Sequence, residues 1–206
     1  MKKPSVIRII GATAVVLAAA IVFWNTAVRS LFYYPETSGP EAATMGTSAA
    51  FVASNESGMP VRLMIPSLGV DAAVQDVGVN AIGNMRAPSN FTDVSWYEYG
   101  AAPGAKGSAV MAGHVDNGLA LAGVFKHLSD LKPGDDLYVL TSKGMKLHFI
   151  VVAAVSYPYT SVPTDELFNK NDGSYLNLIT CDGAWVAGQR TYDHRLVVFS
   201  SLASSS

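Results

Sequence analysis

Between Met59 and Leu202 the apolar residues come in short runs, rich in β-branched and aromatic side chains and separated by Gly, Pro, Asn or Asp. Runs of that kind, so bounded, read as strands. The spacing predicts strands over Val61–Ile65, Val70–Val77, Ser108–Ala112, Asp136–Thr141, Lys146–Tyr157, Tyr175–Thr180 and Arg195–Ser200. Val61, Leu63 and Ile65 alternate with Arg62 and Met64, the pattern of a strand with one buried face. One stretch departs from this rhythm. Leu121, Val124, Phe125, Leu128 and Leu131 recur at three- and four-residue intervals, which predicts one or two helical turns within Leu119–Leu131, ending before Pro133-Gly134. Thr164–Phe168, after Pro163, is a second short helical candidate. The class is therefore mainly all-β, and six to eight strands at this spacing in a segment of single-domain size point to a closed barrel or a sandwich.

The N-terminal part follows different rules. Residues 9–28 carry no charge and are preceded by Lys2, Lys3 and Arg8. A helix of that length crosses a bilayer core of about 30 Å, and the basic residues before it place the amino terminus in the cytoplasm. A cleaved signal peptide is the competing reading, but Asn25-Thr26-Ala27 is a poor cleavage site. From Tyr34 to about Gly58 the composition turns to Pro, Glu, Thr, Ser, Gly and Ala, too little apolar surface to offset its ordering entropy. The expected organisation is thus a cytoplasmic tail (1–8), a single transmembrane anchor (9–28), a flexible extracytoplasmic linker (29–58), a folded domain (59–202) and a short tail (203–206). The net charge is −2 and no Lys/Arg cluster occurs beyond the first eight residues, so nothing favours nucleic acid.

A domain routed outside the cytoplasm enters a compartment where cysteines usually pair, yet this chain has one, Cys181. It ends the predicted strand Tyr175–Thr180 and precedes the turn signal Asp182-Gly183. A thiol attacks only as thiolate, so it needs an imidazolium or a cation nearby. His114 also ends a predicted strand, after Gly107-Ser-Ala-Val-Met-Ala-Gly113, and Arg195 opens another. Taken singly, each has a plainer reading: a small buried hydrophobe, a histidine held by loop hydrogen bonds, a solvated strand end. Three strand-end residues of complementary chemistry nevertheless make a plausible site.

Ala112-Gly-His-Val-Asp116, Leu178-Ile-Thr-Cys181 and an arginine fourteen residues after the cysteine resemble, in order and spacing, the histidine, cysteine and arginine motifs of the sortases. Those are membrane-anchored cysteine transpeptidases. The likeness extends to Arg62-Leu-Met-Ile-Pro66, Val70-Asp-Ala-Ala-Val74, Gly83-Asn-Met-Arg-Ala-Pro88, Trp96-Tyr97, Pro103-Gly-Ala-Lys-Gly107 and Leu131-Lys-Pro-Gly-Asp135, and so covers nearly all of Pro60–Phe199. It implies a closed β-barrel of seven or eight strands. It also implies Cys181 as nucleophile, His114 as general acid, Arg195 as the group that positions substrate and stabilises the oxyanion, and Thr180 as a substrate contact or oxyanion donor. Arg190, in Gly188-Gln-Arg-Thr191, competes for the arginine role, and Asn177 stands where the family motif usually has threonine. No acid is evident as a third catalytic member, although Asp116 and Asp182 flank the two key residues.

The same resemblance makes Pro158–Ser174 one wall of a groove for a sorting signal, a Leu-Pro-x-Thr-Gly-like pentapeptide cut before its glycine, with Val162, Leu167 and Phe168 as its apolar lining. The implied partners are secreted proteins bearing that signal and an amine nucleophile, a peptidoglycan precursor or a pilin lysine. No cofactor is implied; a regulatory calcium has only Asp165, Glu166 and Asp172 to call on. Two other classes stand beside this reading: a membrane-tethered cysteine hydrolase that releases its acyl group to water, and a non-catalytic extracytoplasmic β-barrel binding module in which Cys181 is inert.

Overall fold

The computed structural model describes residues 57–116 and 121–204. Eight strands close into a barrel: β1 (Pro60–Ile65), β2 (Val70–Val77), β3 (Val94–Tyr97), β4 (Gly107–Ala112), β5 (Asp136–Thr141), β6 (Lys146–Pro158), β7 (Ser174–Val186) and β8 (Thr191–Leu202). The order around the barrel is β1-β2-β3-β4-β7-β8-β6-β5, and β5 closes onto β1. Two neighbouring pairs, β2–β3 and β4–β7, run parallel. Closure removes the edge strands that an open sheet would expose. It also decides between the barrel and the sandwich that strand spacing alone leaves open.

All seven predicted strands form, and the structure adds β3, Val-Ser-Trp-Tyr, whose four residues are all buried. Covered on both faces, it lacks the polar alternation that marks a half-exposed strand. Val61 departs from the expected inward pattern and is exposed, because the β1–β5 register shifts between Pro60 and Arg62 and turns its side chain outward. The helix expected within Leu119–Leu131 is reduced, among the described residues, to turns and one tight helical turn over Leu128–Asp130. Phe125, Leu128 and Leu131 are buried as their spacing required, whereas Leu121 is exposed. Three apolar anchors in turns satisfy the same spacing without a helix. The second short helix is a single turn over Asp165–Asn169.

Strand alternation divides the buried residues into two groups. Leu63, Ile65, Ala109, Met111, Leu137, Phe149, Leu176, Leu178, Leu196 and Val198 fill the barrel with Trp96. Val110, Ile179 and Val197 point the other way, and Met85, Tyr97, Val162, Leu167 and Phe168 pack over them. A second apolar layer therefore covers the outer face of β4, β7 and β8. Burying each such side chain contributes about 1.5–3 kcal/mol, so the covering segment is firmly seated.

No helix among the described residues is long and apolar enough to cross a membrane. The expected anchor, residues 9–28, lies outside the described residues, as do the tail before it and nearly all of the 29–58 linker.

Candidate active site

Three neighbouring strands bring the site together. In the parallel β4–β7 ladder Ala112 lies opposite Ile179, and the Gly113 amide continues the ladder by donating to the Ile179 carbonyl at 3.2 Å. The ladder ends at that pair, and His114 follows two residues further on, beside the end of β7 that carries Cys181. In the antiparallel β7–β8 ladder Cys181 faces Arg195. Adjacent strands lie about 4.8 Å apart, so His114 and Arg195 flank the thiol on its two sides. Side chains two residues apart on a strand share a face. Cys181 therefore lies on the face of Ile179, Arg195 on that of Val197 and His114 on that of Ala112, all of them outer-face positions. This is the face covered by Val162, Leu167 and Phe168.

Each residue is held by its surroundings. The His114 Nε2 lies 2.9 Å from the Pro88 carbonyl, and the Phe91 ring meets the imidazole edge-on at 5.6 Å. A carbonyl only accepts, so Nε2 carries its proton and Nδ1 is the nitrogen that gains or loses one. Gly113 is required here by close approach: a Cβ would come within 2.6 Å of the Phe125 ring and 2.7 Å of Val124. Arg195 donates from Nη1 to the Tyr192 and His194 carbonyls, at 3.0 and 2.8 Å, and from Nη2 to Thr191 Oγ1 at 2.8 Å. Its guanidinium carbon lies 5.8 Å from the Tyr159 ring centre.

Cys181 is 6% exposed, and burial pushes its thiol up to about 11, against the opposing pull of the Arg195 charge; Asp116 and Asp182 push the same way as burial. Burial also lowers His114, which the Pro88 hydrogen bond and the Asp116 charge partly offset. The resting pair at neutral pH is a thiol and a neutral imidazole. Their separation is wider than the ordinary values of the two groups indicate, so an ion pair needs a change in the site.

Thr180 lies on the opposite face. It alternates with Cys181, and its hydroxyl donates to the Gly113 carbonyl at 2.8 Å. That hydrogen bond commits it to joining the two strand ends. Asp182 shares the inward parity of Thr180 and accepts from Ser156 at 2.5 Å. Arg190 sits in the tight turn past Val186, at a φ of 54°, five residues along β8 from the level of Cys181. Of the other histidines, His127 is near Asp130 (3.5 Å), His148 bonds Asp136 (2.7 Å) and His194 bonds Asp193 (2.8 Å), at exposed or partly exposed positions.

Residues 63–203 match the family model of the sortase domain. The chain belongs to the sortase family. No curated protein sequence matches it. Its fold is similar to that of sortase A from Corynebacterium diphtheriae, at 19% identity and a TM-score of 0.57, covering 88% of this chain and 81% of that one. It is likewise similar to sortase C-1 from Actinomyces oris, at 22% identity and 0.56, covering 91% and 99%. Sortase C2 of pilus island 1 from Group B Streptococcus is a third, at 20% identity and 0.55, covering 87% and 95%. As a sortase, this protein is a cysteine transpeptidase.

Three residues of this sortase gain a place that motif reading did not assign. Asn177, on the outer face of β7, donates from Nδ2 to the Leu167 carbonyl at 2.7 Å, tying the Asp165–Asn169 turn to the strand that ends in Cys181. The Tyr192 hydroxyl donates to Asp116, 2.7 Å from each carboxylate oxygen, and Asp116 acts electrostatically on both Cys181 and His114. An acid thus stands beside the pair after all. A residue two positions after the histidine signals it, but its partner lies 76 residues on. Asp165 and Asp172 instead accept from Asn169 (3.0 Å) and Tyr175 (2.7 Å), and no group of three metal-binding side chains occurs among the described residues. The calcium suggestion has no cluster to rest on there.

Proposed function

We propose that Cys181 is the acyl-accepting nucleophile of this sortase, His114 its general acid and base, and Arg195 the oxyanion and substrate-positioning group. The observation that supports this is register: β4 and β8 flank β7, Arg195 faces Cys181 in the β7–β8 ladder, and His114 follows the end of β4 that pairs with β7. Attack of the Cys181 thiolate on a peptide carbonyl forms a C–S bond and a tetrahedral oxyanion, for which a guanidinium is a suitable partner. The thiol proton passes to His114 Nδ1, which returns it to the departing amine as the C–N bond breaks. An incoming amine then displaces the thioester and restores the thiol.

The acyl donor on this reading is a secreted protein with a Leu-Pro-x-Thr-Gly-like signal, received against the apolar layer of Val162, Leu167 and Phe168. That layer covers the same face as Cys181, so an apolar side chain of the signal laid against its edge would meet apolar surface. Thr180 acts through position, by locking the level of Gly113 against that of Cys181. The acceptor is an amine on a peptidoglycan precursor or a pilin lysine. Residues 9–28 hold the enzyme in the cell membrane with residues 59–202, the catalytic domain, outside, and 29–58 as tether. The uncharged run and the basic residues before it support this topology.

The test is a sorting-signal peptide incubated with the full chain, with and without an amine acceptor. Wild type yields a ligated product that depends on the acceptor, and Cys181→Ala yields none. Cleavage by Cys181→Ala, or release to water alone with acceptor in excess, would refute the assignment.

A further inference from the structure

One polar contact beside Cys181 takes no part in the chemistry proposed for the three residues. The Tyr192 hydroxyl donates to Asp116, at 2.7 Å from both carboxylate oxygens. Tyr192 lies three residues before Arg195, on the part of the β7–β8 hairpin that continues past Cys181, paired with Trp185. The two rings meet edge-on at 5.4 Å, and Trp185 is 47% exposed. The hairpin reaches this position through a register break between Asp182 and Trp185, where Gly183 has a φ of 80° and a Cβ would collide with Asp193 Oδ1. Asp116 follows His114 by two residues, and Lys126 Nζ lies 3.6 Å from its Oδ2. The Tyr192–Asp116 bond thus joins the β7 side of the site to the β4 side.

Cys181 is within electrostatic reach of both residues. The thiol feels the Asp116 carboxylate, and Tyr192 in turn feels the thiol. The bridging pair is only partly buried, whereas Cys181 and His114 are each 6% exposed. A nucleophile so covered cannot meet a peptide carbonyl until something at its rim moves. Behind it are ladder-bonded strands; to one side Arg195 is fixed by three hydrogen bonds. A side-chain bond at a partly exposed rim is the cheapest of these to open.

We infer that the Tyr192–Asp116 hydrogen bond is a latch across the mouth of the Cys181 cleft, which the acyl donor opens, freeing the Asp116 carboxylate to favour the imidazolium of His114. The inference rests on the roles given to Cys181 and His114. Closed, the latch shields the thiol and shares the Asp116 charge with a phenol. Open, it exposes the thiol and leaves the carboxylate to Lys126 and to the imidazolium that must protonate the leaving amine. Arg195 and Tyr192 from β8, Asp182 from β7 and Asp116 from beyond β4 act on the thiol, His114 stands beside it, and Lys126 faces Asp116 at 3.6 Å. Removing the Asp116 charge therefore leaves Arg195 opposed by one carboxylate rather than two.

Two variants separate latch from charge. Tyr192→Phe removes the donor and keeps the carboxylate; Asp116→Asn keeps an acceptor for the phenol and removes the charge. Cys181 in the full chain is labelled with a small and a bulky methanethiosulfonate, and the ratio of the two rates cancels the thiolate fraction and reports access. Loss of one charge-assisted hydrogen bond shifts such an equilibrium by about tenfold, so Tyr192→Phe is expected to raise the bulky-to-small ratio by about that factor. In Asp116→Asn the phenol keeps a neutral acceptor, so the ratio is expected to rise by less than in Tyr192→Phe, while the small-reagent rate rises and the basic limb of the kcat/KM profile moves to lower pH. Unfolding curves taken alongside confirm that both variants are folded. An unchanged ratio in Tyr192→Phe would overturn the latch, and an unmoved profile in Asp116→Asn would overturn the role of the charge. Either result with Cys181→Ala inactive leaves the nucleophile assignment standing; activity in Cys181→Ala removes both.

Discussion

The Thr180 hydroxyl donates to the Gly113 carbonyl at 2.8 Å, so the residue before the nucleophile is bonded to the residue before the histidine. Both ends are buried, and the bond fixes how far β4 and β7 can slide past each other where their catalytic residues emerge. Thr180→Val keeps the shape and leaves the Gly113 carbonyl with one partner fewer. Stability should fall by about 1–3 kcal/mol, measured by denaturant unfolding. Transpeptidation should lose roughly tenfold in kcat with KM little changed, since misalignment raises the barrier rather than weakening binding. Thr180→Ser should restore both. A large KM effect in Thr180→Val would instead make Thr180 a substrate contact.

Arg195 is paired with Cys181 across the ladder, whereas Arg190 lies in the turn at the end of the hairpin. Arg195→Lys keeps the charge but cannot reproduce a planar fork that donates to two carbonyls and a hydroxyl. Activity should fall by about 100-fold or more, the loss seen when an oxyanion donor is removed. Arg190→Ala should stay within about twofold of wild type, as exposed turn substitutions do. Steady-state transpeptidation of both variants decides this, and a collapse confined to Arg190→Ala would reverse the assignment.

Much of this architecture was legible in the chain because strand alternation writes itself into sequence. Seven strands announced themselves through β-branched runs bounded by Gly, Pro, Asn and Asp, and the strand ends carrying His114, Cys181 and Arg195 were visible as punctuation. β3 escaped because a strand buried on both faces shows no alternation. The helical spacing around Phe125 and Leu128 misled because anchors in successive turns can reproduce a three-four interval. The Asp116–Tyr192 bond and the inward turn of Thr180 were hidden for another reason: each depends on which strands become neighbours. Parity assigns a residue to a face, but only barrel order says what lies across from it.

Asn177 links the proposed groove wall to the nucleophile strand through its bond to the Leu167 carbonyl. Val162, Leu167 and Phe168 then pack on Val110, Ile179 and Val197. Asn177→Ala removes the donor and leaves a buried carbonyl unsatisfied, so the Asp165–Asn169 turn should loosen. KM for the sorting-signal peptide should rise severalfold while the kcat of saturated enzyme stays near wild type, the pattern of lost ground-state and transition-state binding together. Peptide-dependent kinetics check this. An unaltered KM would detach the Leu167 turn from substrate binding.

Cys181 and His114 should also bound the pH range in which the domain is most stable, one from each side. The thiol is raised from its ordinary 9.0 to about 11 in the folded state. Between those values the unfolded chain has released a proton that the folded one retains, so this contribution is complete below pH 9.0 and declines as pH rises towards about 11. At about 1.4 kcal/mol per unit, the decline amounts to about 3 kcal/mol. His114 acts with the opposite sign. Its folded value lies below the ordinary 6.5, so its contribution is complete above pH 6.5 and falls away as pH drops through the folded value. Cys181→Ser, which does not titrate in this range, should flatten the alkaline limb of a stability-versus-pH curve and leave the acid limb in place. His114→Asn should do the converse. Denaturant midpoints from pH 4 to 11 on the full chain measure both, and the difference between each variant and wild type removes the contributions of the buried tyrosines. Curves for Cys181→Ser and wild type that coincide above pH 9.0 would mean that the thiol is not held neutral by burial.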